Sequence, residues 1–377
     1  MRVLFACGGT GGHINPAIAS AKTLKERRPE AEILFAGAEG GMETRLVPDA
    51  GFPIKTVPVE GFHRALKLSS VSGNLRAFRK LIYALRWADE LVREFAPDVV
   101  MGTGGYACYP ILRAASKAKI PTLIHESNAY PGLATRMLSK RLSRVMVNFP
   151  ESERYLKRKD NITVVGTPIR EDMIFQDRAV ARRELGLGEL PLLVSFWGSQ
   201  GAREMNKMMA EFVAMESKGE CRFQHIHACG KYGYRWMPQM LEGMGVTGEN
   251  TPNFELREYI YDMARVMAAA DLVMCRGGAS TLSELMALAK PAIIVPSPNV
   301  ADNHQEKNAR VLGDVGGAVV ITERECSGKR LYEEACSLLN DAEKRAAMSS
   351  ALGKIAVLDA TDRIYQEITS LAKPNVF

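Results

Sequence analysis

His13 closes the run Gly8-Gly-Thr-Gly-Gly-His13, directly after the apolar stretch Val3-Leu-Phe-Ala-Cys7. A histidine at the entrance to a helix is the side chain best suited to taking a proton from a hydroxyl near neutral pH. With no large residue on the loop before it, a diphosphate or a sugar face can come within contact of the backbone. The plainer alternative is a residue of the first helical turn that only caps it. The loop is not a dinucleotide fingerprint, although Glu39 follows the next strand where a ribose-binding acid would sit. The one open register, Gly9-x-Gly11, puts Ile14 where the third glycine must pack.

The second half carries a matching set. Gly198-Ser-Gln-Gly201 precedes a helix with Met205, Met208 and Met209 on its apolar side, and Ser199 is expected to cap that helix and donate to phosphate. Arg276-Gly-Gly-Ala-Ser-Thr-Leu-Ser-Glu284 supplies another turn, so that two turns can meet one diphosphate from different strands. Glu284, one or two helical turns below such a start, is placed to take two adjacent ribose hydroxyls. Read alone it is an ordinary helix-surface carboxylate. His125-Glu-Ser-Asn128, Arg170 after Gly166-Thr-Pro168, and Ala301-Asp-Asn-His-Gln-Glu306 offer amides and charges that suit a hydroxyl-rich ligand, or else are solvated loops. There is no Asp-x-Asp and no clustered His/Cys spacing, so no dedicated metal site is expected, and no cofactor is implied.

These groups sit in a pattern that repeats. Pro97-Asp-Val-Val-Met-Gly-Thr-Gly-Gly-Tyr106, continuing to Lys119-Ile-Pro121-Thr-Leu-Ile-His125, resembles Ala270-Asp-Leu-Val-Met-Cys-Arg-Gly-Gly-Ala279, continuing to Ala289-Lys-Pro291-Ala-Ile-Ile-Val295. Each reads as a buried strand, a glycine turn, a helix and a second strand. Strands are predicted at 3–6, 33–36, 99–101, 121–125, 144–147 and 163–165, then at 192–196, 223–228, 253–256, 272–275, 292–295 and 318–321. Helices between most of them give the βαβ spacing of a parallel sheet. The expectation is two α/β domains whose glycine turns face a common cleft: 1–165 on the acceptor and membrane side, 166–358 for the nucleotide, with a linker near 166–190. The last segment, 359–377, is a helix that could return to the first domain.

The 377 residues, 46% hydrophobic and 7% aromatic, suit a soluble globular protein. Seven scattered cysteines point to a reducing cytoplasm. No signal-peptide design and no apolar run near the roughly 18 residues of a membrane span is present. The net charge of +6 is uneven: residues 1–165 hold 25 Lys+Arg against 15 Asp+Glu, and the remainder 24 against 28. An anionic partner on the N-terminal side follows. Without an aromatic stacking platform or a nucleic-acid motif, nucleic acid is not that partner. Residues 75–95 read as an amphipathic helix, with Arg76, Arg79, Lys80, Tyr83, Arg86, Glu90 and Arg93 on one side and Phe78, Leu81, Ile82, Leu85, Ala88, Val92 and Phe95 on the other. With Phe62-His-Arg-Ala-Leu-Lys-Leu68 before it, residues 62–93 carry seven Lys/Arg against two acids. At roughly 1 kcal/mol per net charge near an anionic leaflet, about 5 kcal/mol is available, enough for reversible attachment.

Taken in order, Gly8-Gly-Thr-Gly-Gly-His13, Gly102-Thr-Gly-Gly-Tyr106, His125-Glu-Ser-Asn128, Gly166-Thr-Pro-Ile-Arg170, Gly198-Ser-Gln-Gly-Ala202, Ser280-Thr-Leu-Ser-Glu284 and Asp302-Asn-His-Gln305 resemble, over essentially the full length, the MurG-type peptidoglycan N-acetylglucosaminyltransferases of glycosyltransferase family 28. That resemblance implies the GT-B fold, two Rossmann-like doubly wound domains, and transfer of N-acetylglucosamine from UDP-N-acetylglucosamine to the lipid-linked muramyl-pentapeptide acceptor with inversion and without a bound metal. It implies a peripheral enzyme at an anionic membrane surface, on the cytoplasmic face of the plasma membrane. On matching positions it makes Glu284 the ribose ligand, Ser199 and Arg170 nucleotide or phosphate contacts, Ile260 a uracil contact, and Asn128 and Gln305 sugar contacts. Thr10, Gly11, Gly12, Ala279, Ser280 and Thr281 join the donor site, and His13, Asn128 and Glu284 form the catalytic set with His13 as base.

Four positions depart from the family pattern: Ser127 for Gln, Trp197 and Tyr109 for Gly, and Tyr261 for Asp. Trp197 and Tyr109 are expected to add bulk beside turns that should admit ligand. The competing functions are another UDP-sugar enzyme, either a lipid glycosyltransferase or a UDP-N-acetylglucosamine 2-epimerase, and a non-catalytic sugar-nucleotide-binding protein.

Overall fold

The computed structural model describes residues 1–58, 70–219 and 221–372, with the backbone alone at 70–81. The chain divides into two compact units, Met1–Pro168 together with the chain from Asp359 onward, and Ile169–Leu358.

In the first unit seven parallel strands, β1 (Arg2–Ala6), β2 (Glu32–Ala38), β3 (Ile54–Val57), β4 (Val99–Gly102), β5 (Thr122–Glu126), β6 (Arg144–Val147) and β7 (Ile162–Val164), lie in the order β3-β2-β1-β4-β5-β6-β7. A strand covered by helices on both faces must be apolar throughout, which is why Val3-Leu-Phe-Ala6 shows no polar alternation. Its side chains still divide by the two-residue period. Val3 and Phe5 join one core with Ile14, Ala21 and Leu24, while Leu4 and Ala6 join the other with Ala88, Ile111 and Leu112. The last helix, Ala360–Leu371, belongs to this unit. Ile364 and Ile368, one turn apart, are buried in the β1 core, and Glu367 pairs with Arg144 at 2.8 Å.

In the second unit β8 (Leu192–Phe196), β9 (Gln224–Ala228), β10 (Phe254–Arg257), β11 (Leu272–Cys275), β12 (Ala292–Ile294) and β13 (Ala318–Val320) form a parallel sheet in the order β10-β9-β8-β11-β12-β13. Both sheets reverse direction of growth beside their first strand, the doubly wound arrangement in which ligands bind outside the strand ends at that switch point. The switch falls between β1 and β4 in one unit and between β8 and β11 in the other. All four strands run into the glycine turns singled out in the sequence.

The predicted strands are all present within a residue or two at their ends. Strand β3 was not among them. It has four residues flanked by Pro53 and Pro58, with Lys55 exposed, and such a short edge strand has too little periodicity to stand out. The predicted helix at 75–95 is Ser70–Phe95. Ala84, Ala88, Leu91 and Val92 are buried along it, but Ile82, assigned to its apolar side, is 39% exposed. The basic stretch Phe62–Leu68 lies outside the described residues, as do the side chains of Arg76, Arg79 and Lys80.

Candidate active site

The first glycine loop leaves β1 and enters the helix Gly11–Arg27 with Thr10 as its N-cap in extended backbone and no side-chain cap bond. Gly11 and Gly12 are the first helical residues, whose N–H groups have no acceptor within the helix. His13 follows on the same turn. The second glycine loop, after β4, interlocks with the first. The Thr103 hydroxyl donates to the His13 carbonyl at 2.6 Å, the Thr103 N–H to the Ala6 carbonyl at 3.0 Å, and the Cys108 thiol to the same carbonyl at 3.0 Å. Gly104 and Gly105 have φ of +113° and +90°, and a Cβ at Gly105 would lie 2.4 Å from the Gly8 carbonyl oxygen. These glycines are required both by their left-handed backbone and by the approach of the neighbouring loop.

Asn128 sits on the loop after β5 and is held by Glu126, whose carboxylate, expected to serve a ligand, is instead engaged within its own loop. The buried Glu126 carboxylate accepts at Oε1 from the Asn128 N–H and side-chain amide, both 3.1 Å, and at Oε2 from the Gly132 N–H at 2.8 Å and the Thr135 hydroxyl at 2.7 Å. The neighbouring His125 is buried and donates from Nε2 to the Gly166 carbonyl at 2.7 Å. That carbonyl can only accept, which sets the neutral tautomer, and Nδ1 is left to accept from the Ser127 hydroxyl at 3.4 Å. Burial holds the His125 imidazolium below its ordinary pKa, and the proximity of His13 adds to that depression. So His125 is a structural strut joining β5 to the Gly166–Pro168 turn. Ser127 completes it.

The buried carboxylate of Glu43 is a group for which the sequence offers no signal. It accepts the Gly9 N–H at 3.2 Å and the Ala38 N–H at 2.9 Å.

In the second unit Gly198, Gly201 and Gly230 have φ of +91°, +73° and +76°. A Cβ at Gly201 would lie 2.1 Å from the Cys229 carbonyl oxygen, so the turns after β8 and β9 close on each other. Ser199 is exposed on this turn. It is not the N-cap expected from the sequence. The helix starts at Arg203 with Ala202 as N-cap and no side-chain cap bond, because Gly201 in left-handed backbone delays the helix by three residues. Trp197 is corrected as well. Its ring is 3% exposed and packs with Met205, Met209 and Met237 in the core, so its bulk is directed away from the turn. Tyr109 likewise packs against the core beneath β4.

After β11, Gly278 is the N-cap of the helix Ala279–Ala287, again without a side-chain cap, so that Ala279, Ser280 and Thr281 form its open first turn. Glu284 lies one turn further on. Desolvation pushes its carboxyl up to about 7, the charge of Arg170 opposing and that of Asp172 adding to the rise. Arg170 precedes the short helix Glu171–Ile174 and pairs with Asp172 at 3.3 Å while both stay largely exposed. Gln305 is the second residue of the helix His304–Asp314, which follows Asp302 and Asn303, two successive residues at positive φ of 55° and 51°. Its Oε1 accepts the Ser297 N–H at 2.8 Å, and the Gly277 Cα direction is filled by its carbonyl, 2.3 Å from where a Cβ would stand. Ser199, Ser280, Glu284, Arg170 and Gln305 thus follow the switch point or adjoin it. Ile260 is set apart, after the edge strand β10. Its side chain is 1% exposed, which leaves its main chain for any ligand contact, and it is flanked by the exposed Tyr259 and Tyr261, whose rings meet edge to face at 5.0 Å.

The N-terminal domain of glycosyltransferase family 28 matches residues 3–147, and its C-terminal domain residues 192–364. This chain belongs to glycosyltransferase family 28. Among curated family 28 relatives, the UDP-N-acetylglucosamine–N-acetylmuramyl-(pentapeptide) pyrophosphoryl-undecaprenol N-acetylglucosamine transferase of Acetivibrio thermocellus is 44% identical over 375 residues, covering 99% of each chain. The enzyme of the same description from Desulforudis audaxviator is 43% identical, covering 98% of each chain. The crystal structure of Acinetobacter baumannii MurG superposes with a TM-score of 0.78 at 26% identity, covering 98% of this chain and 99% of that one. A Listeria monocytogenes structure described as a UDP-N-acetylglucosamine 2-epimerase shares the fold at 14% identity and a TM-score of 0.66.

Proposed function

We propose that this family 28 chain is the inverting glycosyltransferase that moves N-acetylglucosamine from UDP-N-acetylglucosamine to the lipid-linked N-acetylmuramyl-pentapeptide of peptidoglycan synthesis. The observation that carries the reading is 44% identity to a curated transferase of that description, end to end, in a chain whose glycine turns stand at both switch points.

The second unit holds the donor. The open first turn Ala279–Thr281 and the Gly198–Gly201 turn present N–H groups and hydroxyls to the diphosphate, and Arg170 adds a positive charge. As the anomeric carbon–oxygen bond breaks, negative charge grows on the departing UDP, and preorganised donors of this kind stabilise it without reorganising. Glu284 accepts from the ribose hydroxyls, the Ile260 main chain meets uracil, and Gln305 binds the sugar. In the first unit His13 takes the proton of the attacking hydroxyl, while Thr10, Gly11 and Gly12 line the same helix start and Asn128 binds sugar. Attack from the opposite side of the anomeric carbon inverts it.

Attachment to the cytoplasmic face of an anionic membrane is part of the proposal. No described helix is long and apolar enough to cross a membrane. On the first unit, Arg113, Ser116, Lys117 and Arg141 line a surface pocket of about 260 Å³, adding cations to the basic stretch at 62–93. Such attachment weakens with salt. Sedimentation with vesicles containing anionic lipid, compared with neutral vesicles, tests it: equal binding to both refutes it.

Product analysis tests the enzymatic reading. Incubated with UDP-N-acetylglucosamine and the lipid-linked acceptor, the protein yields a disaccharide lipid. Release of UDP with an epimerised sugar, in the absence of acceptor, identifies an epimerase instead.

A further inference from the structure

We infer that Glu43 is a positioning residue for the transfer reaction, its buried carboxylate setting the backbone of the first glycine loop and so the helix start that carries His13. The inference rests on the transferase reading and extends it to a side chain beneath the loop.

Three separate segments close around this one carboxylate. Gly8 follows β1, Gly37 lies in β2, and Gly41 precedes the helix Glu43–Asp49. A Cβ at Gly8 would lie 2.3 Å from Oε1, one at Gly37 2.6 Å from Cγ, and one at Gly41 2.3 Å from Oε2. Each of these glycines therefore leaves the volume that the Glu43 side chain fills. The side chain is 0% exposed. A polar side chain is costly to bury, so its presence in a place an apolar side chain could fill points to its hydrogen bonds. Those bonds go to two backbone donors: the N–H of Gly9, at φ of +88°, and the N–H of Ala38. The Gly9 N–H is thereby turned inward, and the donors the loop can offer an anionic acceptor are shifted to the helix start at Thr10–Gly12. On its other side the loop packs at the Gly8 carbonyl against Gly105, where a Cβ would stand 2.4 Å from that oxygen. With both edges of Gly8-Gly9 fixed, the direction in which His13 leaves the loop is fixed too.

Glu43→Gln keeps the shape but replaces one acceptor oxygen with an NH2 that faces an N–H donor. We expect kcat to fall at least tenfold and the acceptor KM to rise, with the affinity for UDP, held by the second unit, within twofold of the parent. Amide hydrogen exchange of the segment containing Gly8–Gly12 should quicken at least tenfold, a readout that needs no turnover. The double variant Glu43→Ala with Gly8→Ala refills part of the volume but offers no acceptor. Continued fast exchange and low kcat in that variant support anchoring through hydrogen bonds, and recovery of both would show that Glu43 only fills space and overturn the inference. Unchanged exchange in Glu43→Gln also overturns it, as does fast exchange at parental kcat. Transfer by the parent protein tests the enzymatic reading separately.

Discussion

The imidazole of His13 lies against Gly104. A Cβ at Gly104 would stand 2.5 Å from His13 Nδ1 and 2.7 Å from Cε1, at a backbone φ of +113°. The proposed base is thus aimed by the glycine loop of the neighbouring strand. Gly104→Ala must move the ring, and a displacement of about 1 Å in a reacting group costs on the order of 100-fold in rate. The expected outcome is a 10- to 100-fold lower kcat (roughly, by the same reasoning) with unchanged UDP affinity in calorimetry. An unchanged kcat would separate His13 from the chemistry.

Glu284 gives the donor site a pH dependence. Its carboxyl is raised to about 7 by burial, above its ordinary value of 4.5, so its contribution to the stability of the unliganded protein is largest at acidic pH and is lost as pH rises through 7. Ribose hydroxyls donate to the ionised form, so UDP affinity should change in the opposite sense and strengthen as pH rises from about 6 to 8. Glu284→Gln should lower UDP affinity roughly tenfold at the upper end, the worth of a hydrogen bond to a charged group, and flatten the dependence. Calorimetric titration at several pH values checks both.

Acid should destabilise both units through buried histidines. Burial lowers the pKa of His125, and lowers that of His227 to about 3 with a further push from His225. The unfolded chain takes up these protons near pH 6.5 and the native one does not, so stability present above about 6.5 is lost as pH falls, at about 1.4 kcal/mol per pH unit per histidine. His125→Gln, which retains a donor for the Gly166 carbonyl, should remove part of that slope between about pH 6.5 and 5 in urea unfolding.

Glu126 carries four hydrogen bonds of the Asn128 loop. Glu126→Ala leaves buried donors unpaired, at about 1–3 kcal/mol each before relaxation. Urea unfolding should show the first unit weakened, with acceptor use impaired more than UDP binding.

The sequence made the architecture legible where physics is local. Val3–Ala6 and Leu272–Cys275 are short apolar runs with a glycine two residues on, the pattern expected of a strand covered on both faces. The fold class followed from their alternation with helices. The proposed site residues at turns, such as His13 and Ser280, stand out because glycine leaves a mark. Glu43 does not, since a buried carboxylate that accepts backbone N–H groups looks in sequence like any surface acid, and Glu126, visible in the His125–Asn128 cluster, was expected to meet a ligand rather than to anchor its own loop. The buried chain from Glu216 through His225 and Ser195 to His227, with contacts of 2.9, 2.8 and 2.7 Å, was equally silent, although Gln224-His-Ile-His227 places both imidazoles on one face of β9. Trp197 misled for a related reason: position relative to a turn does not tell which side of the strand a ring takes.

The central claim, that His13 deprotonates the acceptor while the second unit holds UDP, is tested most directly by one comparison. Labelled N-acetylglucosamine transfer from UDP-N-acetylglucosamine to the lipid-linked muramyl-pentapeptide is measured for the parent and for His13→Ala, with UDP affinity measured on both. The account predicts transfer by the parent, a roughly 100- to 10,000-fold lower kcat for His13→Ala, as loss of a general base gives, and UDP affinities within twofold. Parental turnover in the variant, or a loss of UDP affinity as large as the loss of turnover, would contradict it.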